Sequence, residues 1–293
     1  MPKRAFPVLV ATDGSPQARA AVAATVMFPW PDGTRAYGVV AQSVPRMAGW
    51  KRSVRAALTR SLLSEARRAQ RALRRRWANA EVTVVDAPPV KAILAKARKR
   101  RVRGIVLGSR RLSGLQRLVR GSVGRTVVRR APCAVLVVKG RPREIKRVLI
   151  GLDGSTRSRR AVAFVSRLQS PPGGLATLLA VVEPVRSTSI SRLPASIRAV
   201  VGGELAALET RRRRAARREV EAAARRLTRS GWTVRTEVRR GVPMTTLLRA
   251  VAAGQADVVV LGARGTGGVE RWLLGSVAEG ALARAPVPVL IAK

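Results

Sequence analysis

Asp257-Val-Val-Val-Leu-Gly262-Ala-Arg-Gly265-Thr-Gly-Gly-Val-Glu-Arg-Trp-Leu-Leu-Gly275-Ser276 is the stretch whose reading decides the fold. An apolar run comes first, then glycines at G-x2-G-x9-G-S spacing, then the helix-forming Val277-Ala-Glu-Gly-Ala-Leu-Ala-Arg284. A buried strand, a glycine-bearing loop and a helix start, in that order, bring backbone N–H groups to an anion. Glycine lets the backbone approach a ligand without a Cβ in the way. The ligand class implied is a phosphorylated nucleotide.

A damaged copy lies earlier: Gly108-Ser-Arg-Arg111-Leu-Ser-Gly-Leu-Gln-Arg-Leu-Val-Arg-Gly121-Ser122, at G-x2-R-x9-G-S, 154 residues upstream (262 − 108). The flanks repeat too. Ala131-Pro-Cys-Ala-Val-Leu-Val-Val-Lys139 answers Ala285-Pro-Val-Pro-Val-Leu-Ile-Ala-Lys293, and Val8-Leu-Val-Ala-Thr-Asp13-Gly-Ser15 answers Val148-Leu-Ile-Gly-Leu-Asp153-Gly-Ser155. Such self-similarity is an internal duplication. Two α/β domains are expected, at 1–140 and 146–293, joined by the short polar linker Gly140-Arg-Pro-Arg-Glu144.

Apolar runs and helical periodicity predict strands at 6–12, 35–41, 81–86, 103–108 and 133–138, with helices at 16–27, 53–77, 89–101 and 121–130 between them. The second half predicts strands at 147–152, 175–182, 232–239, 256–262 and 287–292, with helices at 156–168, about 204–230, 243–254 and 275–284. Alternating strands and helices imply βαβ crossovers and a parallel sheet. Ligands on such sheets sit beyond the carboxyl ends of the strands. Asp13 and Gly108, and likewise Asp153 and Gly262, should therefore share a rim.

The 58 basic and 16 acidic residues give a net charge of +42, and histidine is absent. Basic residues concentrate at 67–76 and 211–229. This balance favours weak, sequence-independent binding to polyanions, although a coding bias that spreads arginine over solvated faces produces it equally well. The only cysteine, Cys133, follows a proline inside an apolar run and reads as a buried strand residue, which suits a cytoplasmic location. No apolar run is long enough to span a membrane.

The D-G-S after the first strand, the G-x2-G-x9-G-S after the fourth and the A-P strand that closes each half resemble the universal stress protein family, in a tandem two-domain form. The resemblance implies two Rossmann-like, adenine-nucleotide α-hydrolase-like domains, each a five-stranded parallel sheet flanked by helices. It also implies ATP or a related adenine nucleotide as ligand, and pairing of the halves through 133–138 and 287–292. Further dimerisation stays open. Carried over by position, Asp153 should lie near the adenosine and Val181 should meet the adenine through its backbone. Gly262, Ala263, Arg264 and Gly265 should line ribose and phosphates, and Gly275, Ser276 and Val277 should offer phosphate donors. The matching first-half positions are Asp13, Val39, Gly108, Arg111, Gly121, Ser122 and Val123.

Arg111 stands where the second motif glycine belongs. Its side chain either fills the cleft and opposes a positive φ, or grips a phosphate with its guanidinium. Impaired binding in the first half is the expectation. Arg103 likewise replaces the acid Asp257. Structural alternatives accompany the site residues: Asp153 or Ser276 as helix caps, and Trp232 and Trp272 as core rather than stacking residues. Without an imidazole base, a G-x4-G-K-[ST] loop or clustered acids to hold Mg²⁺, ATP hydrolysis should be slow at most, and any Mg²⁺ should arrive with the nucleotide.

Overall fold

The computed structural model describes residues 5–42, 52–109, 122–184, 195–263 and 274–293. The first half runs β1 (Phe6–Thr12), α1 (Pro16–Met27), β2 (Thr34–Ala41), α2 (Arg52–Arg74), β3 (Glu81–Val85), α3 (Pro89–Lys99), β4 (Gly104–Gly108), α4 (Ser122–Arg130) and β5 (Ala134–Val138). The second runs β6 (Arg147–Leu152), α5 (Thr156–Val165), β7 (Leu175–Val182), α6 (Ala195–Thr228), β8 (Thr233–Arg240), α7 (Pro243–Ala252), β9 (Val258–Gly262), α8 (Ser276–Arg284) and β10 (Val289–Ala292).

Each expected element is present, with ends that shift by a few residues. The largest departure is α6, which begins at Ala195 rather than near 204. Among the described side chains of the helix, Ile197 and Val200 are exposed and Val220 is the first buried one. Gly202 and Gly203, poor helix formers, lie in the same turns and weaken the helical signal there.

The ten strands among the described residues form one sheet, in the order β3-β2-β1-β4-β5-β10-β9-β6-β7-β8. Every pairing within a half is parallel, as βαβ units require. The halves meet where β10 pairs antiparallel with β5, in the register Val289↔Val137, Leu290↔Leu136 and Ile291↔Val135. The strands expected at 133–138 and 287–292 do pair, and they fuse two five-stranded sheets into one. Two basic side chains clasp the seam in reciprocal fashion. Lys139 Nζ donates to the carbonyls of Ala281 (3.0 Å) and Ala285 (2.9 Å) near the end of α8, and Lys293 Nζ donates to the Arg129 carbonyl (2.8 Å) near the end of α4.

The central strands are buried on both faces, which explains their unbroken apolar runs. One apolar layer joins α1, α2, α5 and α6 to the sheet, and the other joins α3, α4, α7 and α8; both continue across the seam. Phe6 of β1 meets Phe164 of α5 edge-on at 6.0 Å within the first layer. Trp232 is 2% exposed and belongs to this core, as the sequence suggested, whereas Trp272 lies outside the described residues. Cys133, just before β5, is buried, and that burial pushes its thiol up to about 12.

The strand registers measure the duplication. β1 and β2 correspond to β6 and β7 at an offset of 140, whereas β4 and β5 correspond to β9 and β10 at 154. The second half thus holds 14 more residues (154 − 140) between β7 and the buried part of α6.

Candidate functional site

β1 pairs with β4 (Val8↔Gly104, Val10↔Val106) and β6 with β9 (Val148↔Val258, Ile150↔Val260). Continuing those registers sets Thr12 beside Gly108 and Leu152 beside Gly262. The D-G-S turn and the first motif glycine of each half therefore do share a rim, at the point where the strand order reverses.

Both turns are built alike. Gly14 and Gly154 take φ of +79° and +76°, which side-chain-bearing residues rarely adopt. Asp13 Oδ1 accepts from the Ser15 N–H (3.0 Å) and hydroxyl (2.6 Å), and Asp153 Oδ1 accepts from the Ser155 N–H (3.0 Å). The helix caps are the serines: Ser15 Oγ accepts from Ala18 N and Ser155 Oγ from Ser158 N, each at 3.3 Å. Asp153 therefore does not cap α5; it closes the turn that sets the cap. Partial burial works to raise its pKa, but hydrogen bonds from Ser155 and Ser158 outweigh that and hold the carboxyl below the usual range, so it stands ionised on the rim.

The first motif glycine has a reason that involves no ligand. A Cβ on Gly262 would lie 2.5 Å from the backbone carbon and oxygen of Arg157 in α5, and one on Gly108 would lie 2.3 Å from the Gln17 carbonyl oxygen in α1. In each half the first helical turn sits directly on the strand. Ala263 donates its N–H to the Ala292 carbonyl at 2.8 Å, so that donor is occupied by β10. Gly275 takes the cap position of α8 with no side-chain cap bond, and Ser276 is the first helical residue and exposed. Ser276 is thus not the cap. Its N–H and that of half-buried Val277 belong to the first turn, where N–H groups lack intrahelical acceptors.

Val181 lies just past Ala180↔Leu152, where the ladder with β6 stops. The Val182 carbonyl accepts from Gly241 N on the β8 side, so the N–H and C=O of Val181 point the other way, over the Asp153 turn. Val39 is not its counterpart. At the offset of 140 that position is Ala41, whereas Val39 lies inside the ladder between Ala11 and Thr83 and is fully buried. The two positions differ by a register slip of two residues, which leaves the side-chain faces unchanged and so leaves no trace in the hydrophobic pattern. Among the remaining first-half positions, Val123 is half-buried in α4 and Ser122 starts that helix. Arg264, Gly265, Arg111 and Gly121 lie outside the described residues.

Glu65 is a rim residue that motif reading missed. It is 8% exposed and accepts from the Thr12 hydroxyl (3.3 Å) and from Arg19 Nε (3.3 Å) and Nη2 (3.2 Å). Its side chain lies 3.4 Å from where a Gly14 Cβ would be. The second half repeats the pair as Arg159–Glu219 at 3.3 Å, but Leu152 replaces Thr12 and offers no hydroxyl to draw the acid inward. Among the described residues, no atom lies within 4 Å of a Cβ built on Gly154. The Arg–Glu repeat was visible in the sequence at offsets of 140 and 154, hidden only because two offsets apply.

Asp257 belongs to the opposite rim. It precedes β9, accepts from the N–H groups of Lys146 (3.0 Å) and Arg147 (2.8 Å) and from Arg147 Nη2 (2.9 Å), and pairs with Arg143 at 3.4 Å. Its exchange for Arg103 in the first half therefore concerns the docking of the linker rather than the site. Among the described residues, no helix is long and apolar enough to cross a membrane, and no group of three or more His, Cys, Asp or Glu could hold a metal ion.

A model of the universal stress protein family matches residues 6–139 and again 144–293. The chain belongs to that family. A universal stress protein of Mycobacterium bovis is 33% identical over 202 residues, which cover 64% of this chain and 61% of that relative. One from Methanocaldococcus jannaschii is 41% identical over 63 residues, covering 22% and 37% of the two chains. The matched regions thus span less than two thirds of both relatives. In three dimensions this universal stress protein is similar to the crystal structure of one from Archaeoglobus fulgidus, with a TM-score of 0.66, 18% identity and 99% of each chain covered. That likeness concerns the fold, a tandem of two Rossmann-like halves.

Proposed function

We propose that this chain is a nucleotide-responsive regulatory protein of the stress response, acting in the cytoplasm, whose second half, at 146–293, holds ATP or a related adenine nucleotide. Asp153 and the backbone of Val181 receive the nucleoside. Gly262, Ala263, Arg264 and Gly265 line the ribose and phosphates, and Gly275, Ser276 and Val277 donate to the phosphates. The observation that carries this reading is the difference between the two rims. Among the described residues nothing lies within 4 Å of a Cβ built on Gly154, and an uncapped helix start and an outward-facing strand backbone border it, whereas Glu65 leans against Gly14 in the first half. The nucleotide acts as a conformational ligand, shifting the chain toward whichever arrangement binds it better. Mg²⁺ accompanies the phosphates rather than a protein cage, and turnover is slow at most.

The test is a titration with ATP beside identification of the copurifying nucleotide, in the parent and in Gly265→Arg, which makes the second motif copy the first. The variant should bind at least about tenfold more weakly, the loss expected when a few backbone donors are blocked. Equal binding by the two chains would sink this account of both halves.

A second reading rests on α6. Arg211, Arg214, Arg218, Arg225 and Arg229 follow one line along this stretch, all are exposed, and none pairs with a described carboxylate. Such a row suits the phosphates of a nucleic acid. Binding through it should weaken steeply with salt, the logarithm of affinity falling by about 0.9 per neutralised phosphate per log unit of salt, whereas binding at backbone N–H groups should change far less. A flat salt response would remove this reading.

A further inference from the structure

Arg125 Nη2 donates to Glu279 Oε1 across the seam at 3.4 Å, and the two residues are 154 positions apart. That separation is the offset between α4 and α8, so the two side chains occupy the same position in the two copies. The contact exists only because the copies diverged to opposite charge. Arg129 Nη2 donates to the same oxygen at 2.6 Å. Its hydrogen bond, with that from Arg125, holds the Glu279 carboxyl below the usual range against a smaller opposing effect of burial. All three side chains remain partly exposed, at 50%, 30% and 37% for Arg125, Arg129 and Glu279.

Glu279 is the acid in the first turn of α8, and Cβ atoms of a helix lean toward its N-terminus. A carboxylate there satisfies the helix dipole and competes with any phosphate for the same end. The first half has no such conflict, because its equivalent residue is Arg125 itself. The second half carries the acid, and two arginines of the first half are spent on it.

We propose that Arg125 and Arg129 are positioning residues for the phosphates of the second-half nucleotide: they neutralise Glu279 and draw its carboxylate across the seam, away from the first N–H groups of α8. The inference rests on the nucleotide reading above. It makes the second-half site dependent on the first half, which supplies charge to it without touching the ligand.

The experiment is calorimetric titration of the full chain with ATP, in the parent, in Arg125→Ala/Arg129→Ala, in that pair with Glu279→Gln added, and in Arg125→Lys/Arg129→Lys. The alanine pair should weaken binding about five- to tenfold, the size of one uncompensated charge near a helix end. Adding Glu279→Gln should return affinity to the parent value, and the lysine pair should keep most of it. Rescue by Glu279→Gln separates charge compensation from damage to the fold, which that change cannot repair. Parent affinity in the alanine pair, or a loss that Glu279→Gln leaves in place, overturns the proposal while the nucleotide reading stands. A parent chain that binds no ATP removes both.

Discussion

Gly262→Ala should destabilise the chain by about 3 kcal/mol, the upper range for forcing a methyl group into a closed contact. The added carbon would sit 2.5 Å from the backbone of Arg157, and backbone cannot rotate aside as a flexible side chain can. Helix α5 would have to lift off β9, and with it the Asp153 turn that Ser155 fixes at its start. Stability and nucleotide affinity should therefore fall together, the first read from a denaturant midpoint and the second from ATP titration. Gly124→Ala provides the contrast: it lies in α4 with no atom of the described residues within 4 Å of a built Cβ, and alanine there should be neutral to stabilising by up to about 1 kcal/mol. A Gly262→Ala midpoint equal to the parent's would show that the approach of α5 does not fix this position.

Asp257→Ala should cost about 3 kcal/mol at neutral pH, as removal of the acid strands the N–H groups of Lys146 and Arg147 and releases Arg143 of the linker. The pH dependence follows from the sign of the shift. Burial works to raise the Asp257 pKa, but hydrogen bonds from the Arg147 side chain and from the N–H groups of Arg147 and Lys146 prevail and lower it. A carboxyl with a depressed folded pKa contributes stability that is complete above its unfolded value, about 3.9, and is lost as pH falls through the folded one. The gap between parent and variant should thus be constant from neutral pH down to about 5 and close below about 4. Urea melts at several pH values measure it, and a gap that persists in strong acid would assign the loss to packing instead.

Much of the architecture could be read before any coordinates, because its signals are local or repeated. Alternating apolar runs and helical stripes placed the strands, and the family resemblance pointed to pairing through 133–138 and 287–292. What escaped depends on register or on distant partners. Val39 and Ala41 lie on the same face of β2, and only the hydrogen-bonded pairing identifies Ala41 as the counterpart of Val181. The extra turns of α6 hold Gly202 and Gly203, which weaken the helical signal. Gly262 reads in the sequence as a ligand contact, whereas the neighbour that requires glycine there, the first turn of α5, is about a hundred residues away. Glu65 carried no motif at all, and its inward turn depends on the single hydroxyl of Thr12.

The antiparallel seam has a consequence for how such a chain scales with abundance. Pairing of β5 with β10 is intramolecular, so it proceeds at the effective concentration of tethered modules, roughly millimolar, however few copies are present. Two separate single-half proteins would lose that pairing on dilution. Here the stoichiometry of unlike halves is fixed at one to one by the covalent link, which frees the two copies to diverge.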